Sequence, residues 1–168
     1  MKNKLLGSLV VCICLSAMLM ACAPTYDNIA DQMLADTQKQ ADDGFLNLET
    51  LGHTIESLKH SSNPDDKNSL AEAEKQAVYS SNMGFYNKVE SSIIALDTRI
   101  TSMPDASTPK ITEALSQIET SVNNARDLHA KQNTLSSDFS KLTRQQLDQQ
   151  FKALTVYELT IKNGKTPK

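Results

Sequence analysis

The sequence predicts an all-α protein: an up-down-up-down four-helix bundle with a longer first hairpin, following a cleaved signal peptide. Three observations carry this reading. Apolar residues recur at three- and four-residue steps with little strict alternation. The prolines, at 24, 64, 104, 109 and 167, interrupt none of the long periodic stretches and read as punctuation. Five glycines in 168 residues is less than half the usual frequency of about 7%, which disfavours a turn-rich sandwich or barrel. A chain of this length suggests one domain.

The first helix is expected from Tyr26 to His60. Its early stripe is Ile29, Met33 and Leu34, and its later stripe is Phe45, Leu48, Leu51, Ile55 and Leu58. The loop Ser61-Ser62-Asn63-Pro64-Asp65-Asp66 stops it and supplies caps for the next helix. The second helix is expected from Lys67 to Ser102. Tyr86, Val89, Ile93, Leu96, Ile100 and Met103 mark its buried face, with a weaker first half on Leu70, Ala73, Ala77 and Val78. The competing reading splits it at Ser80-Ser81-Asn82.

In the third helix Thr108 is the N-cap and Pro109 the first helical residue. Ile111, Leu115, Ile118, Val122 and Ala125 form its stripe, and it ends near Lys131. The fourth runs from Ser137 to Asn163 with Phe139, Leu142, Leu147, Phe151, Leu154, Tyr157 and Ile161 inward. Gly164 suits the left-handed position that closes a helix. The bundle domain therefore spans 26–163, followed by a basic tail at 164–168.

Helices of about 35 residues, or about 52 Å at 1.5 Å per residue, make the first hairpin longer than the rest. Its tip is the loop 61–66. Gly44 and Gly84 fall at the same level of that hairpin, since the turn is centred near position 64. Each costs about 1 kcal/mol against Ala in a helix interior, so they are expected to face each other in a close approach or shared bend where the hairpin leaves the body.

The N-terminus sets a compartment. Lys2 and Lys4 precede an apolar stretch from Leu5 to Ala21, the pattern of a secretory signal. It ends in Leu19-Met20-Ala21-Cys22, which resembles the lipobox of bacterial lipoprotein precursors. The resemblance covers residues 1–22 only and names no family for the rest of the chain. It implies that 1–21 is a lipoprotein signal peptide, that the Cys22 thiol is lipidated, and that the new amine is acylated with a fatty acid such as palmitate. Two acyl chains hold a protein stably on a bilayer. Ala23 after the cysteine resembles the outer-membrane sorting default. The competing readings are an uncleaved anchor helix and a secreted protein with a free Cys22. Residues 22–25 are a lipidated linker, too short for a domain tethered across the periplasm. Cys12 and Cys14 lie in the signal segment, which leaves the bundle without a thiol for a disulfide, metal site or nucleophile.

With 17 basic and 20 acidic residues, the chain lacks the dominant basic patch of a nucleic-acid binder. The charges are uneven: residues 22–119 hold 16 acidic and 7 basic residues, and residues 120–168 hold 4 acidic and 8 basic. Lys162, Lys165 and Lys168 are expected near lipid head groups, where a basic residue contributes about 1 kcal/mol. The alternative is that basic residues of the last helix neutralise acidic neighbours inside the bundle.

Chemistry-bearing motifs are scarce. Glu49 and His53, and Glu56 and His60, form two pairs spaced four apart. Imidazole and carboxylate are good divalent ligands, which makes His53, Glu56 and His60 weak metal candidates. The buried seam instead turns both pairs outward as i,i+4 partners, each worth roughly a few tenths of a kcal/mol. His129 stands near the end of the third helix, where a cation suits the helix dipole. Tyr79, Phe85 and Tyr86 read as core or groove-lining residues. No phosphate-binding loop or serine nucleophile motif occurs. The expectation is a non-enzymatic envelope lipoprotein without a cofactor beyond its covalent lipid. It would touch the membrane through its anchor and an envelope protein through its hairpin. The alternatives are a bundle that binds a small ligand or metal, and a phage or plasmid exclusion lipoprotein. The pattern fixes no oligomeric state.

Overall fold

The computed structural model describes residues 27–102 and 108–162, with side chains in the last helix as far as Tyr157. The described residues form five α-helices: α1 (Asn28–Lys59), α2 (Asp66–Ala77), α3 (Tyr79–Thr101), α4 (Thr108–Gln132) and α5 (Ser137–Lys162). No described residue is in a strand, so the fold is all-α. The signal peptide, the Leu19–Cys22 motif, Met103 and Gly164 lie outside the described residues.

Helix α1 begins where a side chain can serve its orphan amides. Asp27 is its N-cap, and the Oδ1 atom accepts from the Ile29 amide at 3.0 Å. The same carboxylate receives Arg99 of α3, with Nε 2.7 Å from Oδ2. That bond holds the Asp27 carboxyl below its usual range. At the other end the chain turns through an Asx-type loop. Asn63 Oδ1 accepts from the Asp65 amide at 3.1 Å, and the Ser61 hydroxyl donates to the Asp66 carboxylate.

The second expected helix is two helices. Val78 adopts an extended conformation (φ −70°, ψ 151°) between α2 and α3. The split falls just ahead of Ser80-Ser81-Asn82, which lie inside the start of α3.

Helix α1 packs against α2, α3 and α5, and α4 packs against α3 and α5. Between α1 and α3, α3 and α4, and α1 and α5, residue numbers rise on one helix as they fall on the other. Gln40 meets Ser92 and Phe45 meets Phe85 between α1 and α3. Arg126 meets Glu90 between α4 and α3. Gln38 meets Asp148 and Glu56 meets Ser137 between α1 and α5.

One apolar core joins α1, α3, α4 and α5. The expected stripes of α3 and α4 are buried in full from Tyr86 to Ile100 and from Ile111 to Ala125. Two expected inward residues are out: Ile29 is 54% exposed and Leu142 is 64% exposed. At the start of α5 the buried residues are Ser137, Ser140 and Thr143 instead. The cause is the closeness of α1. A Cβ added to Gly52 would stand 2.7 Å from the Ser137 backbone nitrogen, so that approach leaves room for small side chains only.

The two other helical glycines do not face each other. A Cβ on Gly44 would lie 2.0 Å from the Phe85 ring, whereas Gly84 has nothing within 4 Å. The close approach expected between two glycines is made by Gly44 and the neighbouring aromatic residue. The body also reaches further along the first hairpin than expected: Ser137 meets Glu56, and His129 meets Ala77. Beyond it, α2 rests on α1 through a small separate cluster of Leu51, Ala73 and Ala77, with Ile55 packed against it.

Candidate functional site

The break at Val78 gathers the least ordinary chemistry of the described residues. A helix end leaves its last carbonyls without intrahelical donors. Here each of three successive carbonyls has found a side chain. Ser81 Oγ donates to the Lys75 oxygen at 2.8 Å, and Asn82 Nδ2 donates to the Gln76 oxygen at 2.8 Å. His129 Nε2 stands 2.9 Å from the Ala77 oxygen. The first amide of α3, on Tyr79, donates to the Asn133 carbonyl at 2.9 Å. Asn133 holds a positive φ of 64°, a conformation that asparagine tolerates better than most residues.

These bonds fix the histidine tautomer. A carbonyl only accepts, so Nε2 carries the proton and Nδ1 must accept. Tyr86 Oη, 3.1 Å from Nδ1, is then the donor. His129 and Tyr86 are both 0% exposed. Tyr79 and Tyr86 meet the imidazole with ring centroids 5.6 and 5.8 Å away, and Phe45 and Phe85 extend the aromatic group towards α1. Burial pushes the His129 pKa down, opposed by the Ala77 bond. It pushes the Tyr86 hydroxyl well up. The result is a neutral imidazole clamped between a phenol and a helix end. The expectation of a cation suited to the helix dipole is corrected: the apolar stripe of α4 continues one four-residue step beyond Ala125 and carries the ring into the core.

The metal candidates are not brought together. His53 Nδ1 lies 3.8 Å from Glu56 Oε2, a pair spaced by three residues with both side chains exposed. The Glu56 carboxylate accepts from Ser137 Oγ at 3.2 Å, and His60 lies exposed at the end of α1. The expected pairing of Glu49 with His53 is replaced by one across helices. Arg144 of α5 places Nε 3.1 Å from Glu49 Oε2 and Nη1 3.2 Å from Asp42 Oδ1. Among the described residues no group of three His, Cys, Asp or Glu side chains is placed to hold a metal ion.

All three arginines of the chain link helices: Arg99 to Asp27, Arg126 to Glu90, and Arg144 to Asp42 and Glu49. Two of them belong to the basic C-terminal part and meet acidic residues of the first part, which is internal neutralisation. Lys162 ends α5, and Lys165 and Lys168 lie outside the described residues, as does Cys22.

A cleft of about 470 Å³ runs beside the break, between Ile55, Glu56 and Lys59 of α1, Glu74 and Val78, and the 134–136 loop. Lys59 Nζ and Glu74 Oε1 face each other across it at 3.8 Å. No helix of the described residues is long and apolar enough to cross a membrane. Sequence reading missed Gly52, Asn133 and the backward reach of Ser81 and Asn82. Of these, the run of Ser, Ser and Asn was the visible signal. Compared with known protein families, curated proteins and solved structures, the chain matches none of them.

Proposed function

We propose that the chain is a membrane-anchored, non-enzymatic envelope lipoprotein. A lipid on Cys22 fixes a four-helix, up-down-up-down bundle close to the bilayer, and the first hairpin presents a surface to a protein partner. The bundle reading is supported by the reversed order of contacts between α1 and α3, α3 and α4, and α1 and α5. In it α2 and α3 together form one bent rod. The anchor reading rests on Leu19-Met20-Ala21-Cys22 and on the three residues between Cys22 and Tyr26.

The observation that carries the partner reading is the hairpin end. The loop from Ser61 to Asp65 is exposed, and α2 turns only Ala73 and Ala77 fully inward. A segment so lightly held presents most of its side chains outward. Arg126 and Arg144 are engaged within the bundle, so contact with anionic head groups falls to Lys162, Lys165 and Lys168.

The test is photo-crosslinking in living cells. A photoreactive residue replaces exposed Lys67 on α2, and a second replaces exposed Gln149 on α5. The expected result is a discrete protein adduct from position 67 and none from 149. Identical adduct patterns at both positions, or no adduct at either, contradict the hairpin as the contact surface.

A further inference from the structure

The bonds at the break divide by origin. Ser81 and Asn82 reach only six residues back from α3 to α2, so their bonds span the break itself and can open with it. His129 and Asn133 belong to the end of α4 and the turn after it, and they tie the bend to the body. We propose that Val78 is a hinge, and that protonation of His129 releases α2 from the body while the core shared by α1, α3 and α4 stays folded.

The neutral ring has one arrangement that satisfies both of its nitrogens. A second proton would go to Nδ1, which faces the Tyr86 hydroxyl at 3.1 Å. Two donors would then point at each other, and Tyr86 would have to turn its O–H away from its acceptor. The groups facing the imidazolium would be Tyr79 and Tyr86 from α3 and the Ala77 carbonyl from α2. Burial works against the ring's second proton and the Ala77 carbonyl works for it, and among the described residues no charged side chain is hydrogen-bonded or ion-paired to the ring to offset the new charge. A buried charge without a counter-ion is relieved by water.

Water enters through the weakest wall. The Tyr86 side belongs to the large core, which includes Phe45, Val89, Ile118 and Leu135. The α2 side is held by Leu51, Ala73, Ala77 and Ile55. Apolar stabilisation scales with buried area, and two of those four residues are alanines. Helix α2 therefore gives way first. Its departure leaves no backbone group unserved, because solvent takes the place of His129 on the Ala77 carbonyl and, where the bend opens, of Ser81 and Asn82 on the Lys75 and Gln76 carbonyls. The segment that moves is bounded by Val78 on one side and the exposed loop 61–65 on the other.

Hydrogen exchange on the full chain in detergent, read at about pH 7.5 and about pH 5 and corrected for intrinsic rates, tests this. Protection of residues 70–77 should fall by roughly tenfold or more relative to residues 89–96 and 115–122. His129→Gln, which keeps a donor and an acceptor but cannot take the charge, should abolish that fall. Ala73→Gly thins the α2 contact without touching the ring, and should move the opening to higher pH; this arm stands even where His129→Gln does not fold. Loss of protection in both regions together would overturn the proposal. So would unchanged protection of 70–77 at low pH, wild-type behaviour in His129→Gln, or no shift in Ala73→Gly.

Discussion

His129 and Ala77, 52 positions apart, share a buried hydrogen bond of 2.9 Å that joins the end of α4 to the last carbonyl of α2. The histidine is neutral in this arrangement, and its burial sets how the protein responds to acid. Its folded pKa lies below the ordinary histidine value of about 6.5. The unfolded chain therefore binds more protons than the folded one below that pH. The contribution of His129 is complete above about pH 6.5 and is lost as pH falls towards the folded pKa, at up to about 1.4 kcal/mol per pH unit. Urea unfolding at about pH 7.5 and about pH 5.5 checks this. The wild type should lose stability between them, and His129→Gln should lose clearly less.

Gly44 and Gly84 should respond to alanine with opposite signs. At Gly84 the new methyl meets nothing, so the gain in helix propensity of about 1 kcal/mol is available. At Gly44 it would fall 2.0 Å from the Phe85 ring. Overpacking of that kind costs about 1–3 kcal/mol. Denaturant midpoints of the two variants against wild type provide the measurement, and shifts in the same direction would contradict the packing described here.

Gly52→Ala should destabilise as well, by about 1–3 kcal/mol, but without the escape open to an aromatic ring. The obstructing atoms are the Ser137 nitrogen and Cα at 2.7 and 2.9 Å, so the start of α5 itself must shift. The shift should also loosen the Ser137–Glu56 bond. Faster amide exchange at residues 137–141 in the variant is the expected sign, and unchanged exchange there would contradict it.

How far each element was legible in the sequence depends on what it rests against. The stripes of α3 and α4 are mainly Ile, Val and Leu at helical steps, and such residues are buried wherever helices meet at ordinary distances. The start of α5 defeats the same logic. Its approach to Gly52 favours Ser140 and Thr143 inside and leaves Leu142 out. The break at Val78 was legible only as a polar run nearby, since two of its fastenings come from His129 and Asn133, far along the chain. Spacing shows which side chains on one helix can meet. It does not show that Arg144, from another helix, takes Glu49 away from His53. The histidine itself was readable as one more step of the α4 stripe.

The anchor decides the account of function, and one measurement reaches it directly. Cells making the wild-type chain and Cys22→Ser are grown with radiolabelled palmitate, and the protein is isolated from each. The account predicts label on a processed wild-type chain, and an unlabelled, uncleaved precursor from the variant. Label on Cys22→Ser, or a wild-type chain that takes up none, would contradict it.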